Sequence, residues 1–177
     1  CERLLVAERN MENIIITKKS SAKTNFLIKT LLTCVSLAVF IASPDNAGFF
    51  PGSSFVSHLT YSFCHANIFH LAANLVVLWS LRNRICLCAS LFAAVLASFL
   101  PTYVSQPTVG LSGVIFAAIG IMWGKTGRFF DSCCVVMPFI VLTMLIPGVN
   151  GILHFYAYII GFIIGRIVTK YSHIPYF

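Results

Sequence analysis

Apolar residues run through this chain in long stretches, without the strict alternation of a half-buried strand. After residue 24, six stretches stand out, roughly 25–43, 62–81, 85–101, 109–124, 133–149 and 151–169, each near the length a membrane span needs. Short segments rich in Gly, Pro, Asn or charge separate them. The pattern predicts an all-α, polytopic membrane protein with six transmembrane helices. It divides the chain into a cytoplasmic N-terminal segment (1–24), one six-span membrane domain (25–170) and a short cytoplasmic tail (171–177). The spans use nearly all of the sequence after residue 24, so no soluble second domain is expected there.

Composition agrees, and charge adds direction. The chain is 58% hydrophobic and only 10% charged, an apolar share well above the soluble average. The twelve basic residues are Arg3, Arg9, Lys18, Lys19, Lys23, Lys29, Arg82, Arg84, Lys125, Arg128, Arg166 and Lys170. With six spans, every one of them falls on the same side, and the loops after spans one, three and five hold neither Lys nor Arg. The positive-inside rule then puts both termini in the cytoplasm. The net charge of +7 is thus a topology signal. Scattered over short turns, these residues form no stripe for nucleic acid, and Lys18, Lys19 and Lys23 are expected to touch anionic lipid. The polar stretch Cys1–Asn10 has no apolar signal core, and Met11 before a basic run reads as the native start. A lipidated Cys1 lacks a preceding motif. The seven cysteines lie mostly in spans or at their ends, where Cys acts as a small apolar residue. Cys86 and Cys88 have no partner pair at zinc spacing.

Polar residues within the stretches gather in one layer. Spans two, four and six all begin at the outer face in this topology. Span two carries His65, His70 and Asn74, span four carries Ser112, and span six carries Asn150 and His154. At about 1.5 Å per residue, Ser112 and His154 are each expected roughly 5 Å inside their helix starts. His70 and Asn74 are one turn apart on one face. Each residue also has an ordinary reading. A serine in a membrane helix usually bonds back to its own helix or packs on a neighbour. An isolated interfacial histidine is usually solvated, and His58 and His173 are read so. Ionisable groups inside spans are costly and tend to mark function; their convergence on one face of the membrane favours that reading. Small residues support it. Gly113, Ala117, Gly120 and Gly124 on span four, and Ala157, Gly161 and Gly165 on span six, form stripes at helical spacing. Such stripes let backbones approach, as a Ser–His hydrogen bond between helices requires.

These residues resemble the rhomboid family of intramembrane serine proteases over spans two to six. His65-Ala66-Asn67-Ile68-Phe69-His70-Leu71-Ala72-Ala73-Asn74 is similar to the family's HxxxxHxxxN, Gly110-Leu111-Ser112-Gly113 to the GxSG around its nucleophile, and His154 through Gly161 to its base histidine and small-residue stripe. The resemblance implies a rhomboid-like bundle in which Ser112 attacks a scissile carbonyl and His154 acts as general base. It implies that the Ser112 N–H, His70 and Asn74 bind the oxyanion. His65 would hold the span-two end to the first outer loop, and Gly110 would turn the chain into span four. Phe116 would pack on the imidazole. No carboxylate is available to orient His154, since Asp45 lies in a loop, and a Ser–His dyad is expected. The first outer loop, about residues 43–61, lacks the family's frequent Trp-Arg pair; Phe49, Phe50 and Phe55 are expected to pack it on the membrane surface. Phe116 stands where Tyr is frequent and Ala157 where Gly is common. The loop around Gly148 and Asn150 is expected to cover the site and move to admit substrate.

The expected function is therefore a serine endopeptidase that cleaves transmembrane segments of other membrane proteins near the outer face. It needs no metal or cofactor. Its partners would be those substrates and the bilayer, in the plasma membrane of a bacterium or in an organelle. Oligomeric state is left open. One rival is a catalytically silent protein that binds membrane-protein clients on the same scaffold. Another is a transporter or haem protein with His65, His70 and His154 as ligands, against which the five-residue spacing of His65 and His70 speaks.

Overall fold

A computed structural model of the protein describes residues 23–42, 48–50, 52–81, 86–102 and 106–171. The stretch from Cys1 to Asn10, Met11, most of the N-terminal basic cluster, Asp45, Arg82, Arg84 and His173 lie outside the described residues. The elements are α1 (Lys23–Ala42), α2 (Phe55–Thr60), a one-turn 3-10 helix (Tyr61–Phe63), α3 (Ile68–Ser80), α4 (Leu87–Ser98), α5 (Ser112–Thr126), α6 (Phe129–Met144) and α7 (Gly151–Tyr171). The described residues contain no strand beyond an isolated antiparallel bridge between Phe49 and Thr108.

The protein is an all-α bundle, as the apolar pattern predicts. Among the described residues only α1 and α7, at 20 and 21 residues, are long and apolar enough to cross a membrane unaided, with a third span if Phe55–Phe63 (α2 and the 3-10 turn) and α3, bent by 79°, count as one. Helices α4, α5 and α6 are apolar but shorter. The six expected spans thus correspond to α1 and α3–α7 with shifted ends, and local chemistry sets several of them. Span two begins at Ile68 because the Asn67 side chain accepts the His70 N–H at 2.9 Å and caps the helix. Span four begins at Ser112 because Gly110, at φ 112°, cannot be helical. Span five runs Phe129–Met144, starting early and stopping before Pro147 and the left-handed Gly148.

Helix α5 is the hub. It is buried on nearly every side, through Gly113, Val114, Ile115, Ala117, Ala118, Gly120, Ile121 and Gly124, which explains why no polar stripe runs along it. Its most extensive contact is with α7. There Gly120 faces the Tyr158 carbonyl and Gly161 the Ala117 carbonyl, so that a Cβ on either would strike backbone. Helix α4 adds Ala93, Ala94 and Ala97 to the shared core. Helix α6 is anchored by a thin stripe, Ser132, Val136 and Ile140. Phe130, Phe139, Leu142 and Leu145 point away from the bundle.

At the other side of the bundle, α1 docks on the end of α3. The Lys29 ammonium donates to the carbonyls of Leu81 at 2.6 Å and Trp79 at 3.3 Å, filling acceptors that a helix C-terminus leaves open. Trp79 Nε1 donates to Thr33 Oγ1 at 3.1 Å.

Two expectations for the outer loop are corrected. Phe49 is no surface anchor: it is buried and paired with Thr108 through N–H···O bonds of 3.0 and 2.7 Å, leaving Phe50 and Phe55 exposed. His58 is not solvated: it is buried, stacked on Phe99 at 4.3 Å, with Nδ1 at 2.9 Å from Ser98 Oγ.

Candidate active site

Ser112 is the first residue of α5, not a residue one turn inside it as expected. His154 is the fourth residue of α7 and is buried. The crossing of α5 and α7 puts His154 Nε2 at 2.8 Å from Ser112 Oγ. Phe116, one turn below Ser112, stacks on the imidazole with centroids 4.6 Å apart and planes 21° from parallel. A ring closed on one face by an aromatic has little freedom to rotate.

The turn before α5 is built around Gly110. Its N–H donates to the Tyr61 carbonyl at 3.0 Å, and the Tyr61 hydroxyl donates to the Ala94 carbonyl at 3.0 Å. A Cβ on Gly110 would stand 2.8 Å from His70 Nε2 and 3.1 Å from Asn74 Nδ2. His70 and Asn74 therefore close on the backbone just before Ser112, and only glycine leaves room for them at this φ. Asn74 is buried, and its Nδ2 has no hydrogen-bond partner. Buried amide donors are rarely left so. The N–H groups at the start of α5 likewise lack intrahelical acceptors, and the helix dipole makes that end electropositive. The arrangement offers donors to an oxygen that develops negative charge.

His65 departs from expectation. It lies in the bend between the 3-10 turn and α3, outside the helix, so its spacing from His70 says nothing of helix faces. The two rings are 5.3 Å apart, edge to face. His65 Nδ1 is at 3.2 Å from the carbonyl of its near neighbour Phe63, and its Nε2 is buried without a partner. Gly113 faces the Tyr61 hydroxyl and Leu153. Ala157 is wholly buried beside Ala117, and Gly161 lies one turn further along α7. Among the described residues no group of three or more His, Cys, Asp or Glu could hold a metal ion.

Three residues at the site escape sequence reasoning. Thr143 of α6 brings Oγ1 to 3.0 Å from His154 Nδ1. Thr108 accepts from Asn150 Nδ2 at 2.8 Å, while Asn150 Oδ1 caps α7 by accepting the Leu153 N–H at 3.0 Å. Tyr61 braces Gly110. All three are hydroxyl residues whose partners lie on other elements, 11 positions away for Thr143, 42 for Thr108 and 33 for Tyr61; a lone Thr in an apolar run is the one faint signal.

The family model described as the Rhomboid domain matches residues 52–173. No curated protein matches the chain. The match takes in α2 through α7, more than half of the 177 residues, and with them the Ser112–His154 pair and the span-two motif that flanks it. The apolar helices make this an integral membrane protein, and the chain belongs to the rhomboid family.

Proposed function

We propose that the protein is an intramembrane serine endopeptidase that cleaves transmembrane segments of other membrane proteins. The observation that carries the reading is the 2.8 Å contact between Ser112 Oγ and His154 Nε2 across two helices. It is supported by the unpartnered Asn74 Nδ2 close to the turn that leads into Ser112. Ser112 Oγ attacks the scissile carbonyl as its proton passes to Nε2. The oxyanion accepts hydrogen bonds from the Ser112 N–H, Asn74 Nδ2 and His70. Collapse expels the amine, which takes the proton back from His154 and leaves an acyl-serine. Water, activated by the same nitrogen, releases the new carboxylate and restores Ser112.

Depth supports a substrate inside the bilayer. From Ser112 to Lys125 α5 rises about 20 Å, against a hydrocarbon core of about 30 Å. With Lys125 at the cytoplasmic face, Ser112 sits about 10 Å below the outer one. Both termini are then cytoplasmic, the site opens outward, and the membrane is the plasma membrane of a bacterium or an organelle equivalent.

A fluorophosphonate or isocoumarin probe tests the reading. It should label the wild type, and labelling should vanish in Ser112→Ala and in His154→Ala. A well-folded wild type that neither labels nor cleaves would make the silent client-binding scaffold the better description.

A further inference from the structure

The imidazole of His154 is held at both nitrogens. Nε2 faces Ser112 Oγ at 2.8 Å, and Nδ1 faces Thr143 Oγ1 at 3.0 Å. A threonine hydroxyl has one hydrogen to give. Thr143 gives it to the carbonyl of Ile140, three residues earlier on α6, at 2.7 Å. Toward His154, Oγ1 can therefore only accept. An acceptor at Nδ1 selects the tautomer with hydrogen on Nδ1. A neutral imidazole carries one N–H, so Nε2 keeps its lone pair for the Ser112 hydroxyl.

We propose that Thr143 is a positioning residue that fixes the tautomer and orientation of His154, filling with a neutral hydroxyl the place a carboxylate takes in a triad, a role that rests on the hydrolase reading above. No acid competes for this place among the described residues: Asp131, the one acid there, pairs with Arg128 at the far end of α6. The bond back to Ile140 does two things. It consumes the hydroxyl hydrogen, and it locks the Thr143 rotamer so that a lone pair stays aimed at Nδ1. When Nε2 takes the Ser112 proton, the imidazolium has N–H on both sides, and the Nδ1–H···Oγ1 bond strengthens as the charge appears. The contact thus favours the transition state over the ground state, so its loss should fall on kcat more than on KM. Phe116 holds the ring face and Thr143 holds the ring edge; together they set both rotations of the imidazole.

The test uses full-length protein in liposomes with side-chain 15N-labelled histidine, the His154 resonances being assigned by their loss in His154→Ala. Wild type should show a protonated Nδ1 and a bare Nε2. In Thr143→Val, which keeps the shape and removes the acceptor, a Nε2-protonated signal should appear and kcat should fall about 10–100-fold with KM little changed. Thr143→Ser should restore most of kcat and the wild-type spectrum. A Nε2-protonated His154 in the wild type would overturn the proposal. So would a Thr143→Val protein with wild-type spectrum and kcat, or a Thr143→Ser protein as impaired as Thr143→Val at equal melting temperature. The spectrum needs no turnover, so it judges Thr143 even if the wild type proves unable to cleave, an outcome that would fell the hydrolase reading alone.

Discussion

Asn74 Nδ2 is a donor buried without an acceptor, and such a group costs about 1–3 kcal/mol. In the proposed reaction an oxyanion supplies that acceptor, so the cost in the resting protein is recovered only as the reaction proceeds. Two outcomes are expected. His70→Ala and Asn74→Ala should each lower turnover about 10–1000-fold, and Asn74→Ala should melt no lower than wild type. Full activity in the double mutant would reject the role given to α3. Residues such as these were legible in the sequence because their chemistry is tied to residue type: a serine, two histidines and an asparagine stand out in an apolar stretch at motif spacing. His58 was misread because the partners that bury it, Ser98 and Phe99, lie about forty positions away. Thr143 was missed for a different reason, since its partner His154 is only 11 positions away. A hydroxyl on an apolar helix usually bonds to its own backbone, and nothing in its spacing reveals that its lone pairs reach another helix.

Helices α5 and α7 act as one unit. Gly161 lies against the Ala117 carbonyl, and Gly120 against that of Tyr158, so the two axes can approach until backbones touch. That approach sets the distance between Ser112 and His154 at the upper end of the crossing. Gly161→Val should wedge the helices apart, lowering stability by about 1–3 kcal/mol and slowing probe capture at Ser112 even at temperatures where the protein stays folded. Capture at the wild-type rate in a protein of reduced melting temperature would show that the crossing does not control the dyad. The small-residue stripes were visible in the sequence, since they recur at helical spacing. Helix ends were not. They depend on single events, the Asn67 cap and the positive φ of Gly110, which hydropathy does not register. Helix α6, attached by three buried residues, nevertheless carries Thr143 to the imidazole.

For the molecule as a whole, charge and depth are linked. The described basic residues lie toward one end of the bundle, where Lys29 caps α3 and Arg166 packs against Gly127, and the Ser112–His154 pair lies toward the other. Reporter fusions after Lys125 should read cytoplasmic and those at Gln106 external; an external signal at Lys125 would invert the proposed orientation. The all-α architecture was readable because long apolar runs have few other uses. The shortness of α4, α5 and α6 was not, and in the proposed orientation this shortness would leave Ser112 below the outer surface. The decisive measurement is proteolysis of single-span model substrates by purified protein in liposomes, with wild type, Ser112→Ala, His154→Ala and the double mutant side by side. Wild type should cut within or beside the substrate's membrane segment. Each single mutant should be inactive, with the double no worse than either, because the two residues work as one unit. Cleavage that persists in Ser112→Ala, once contaminating proteases are excluded, would contradict a Ser112–His154 protease.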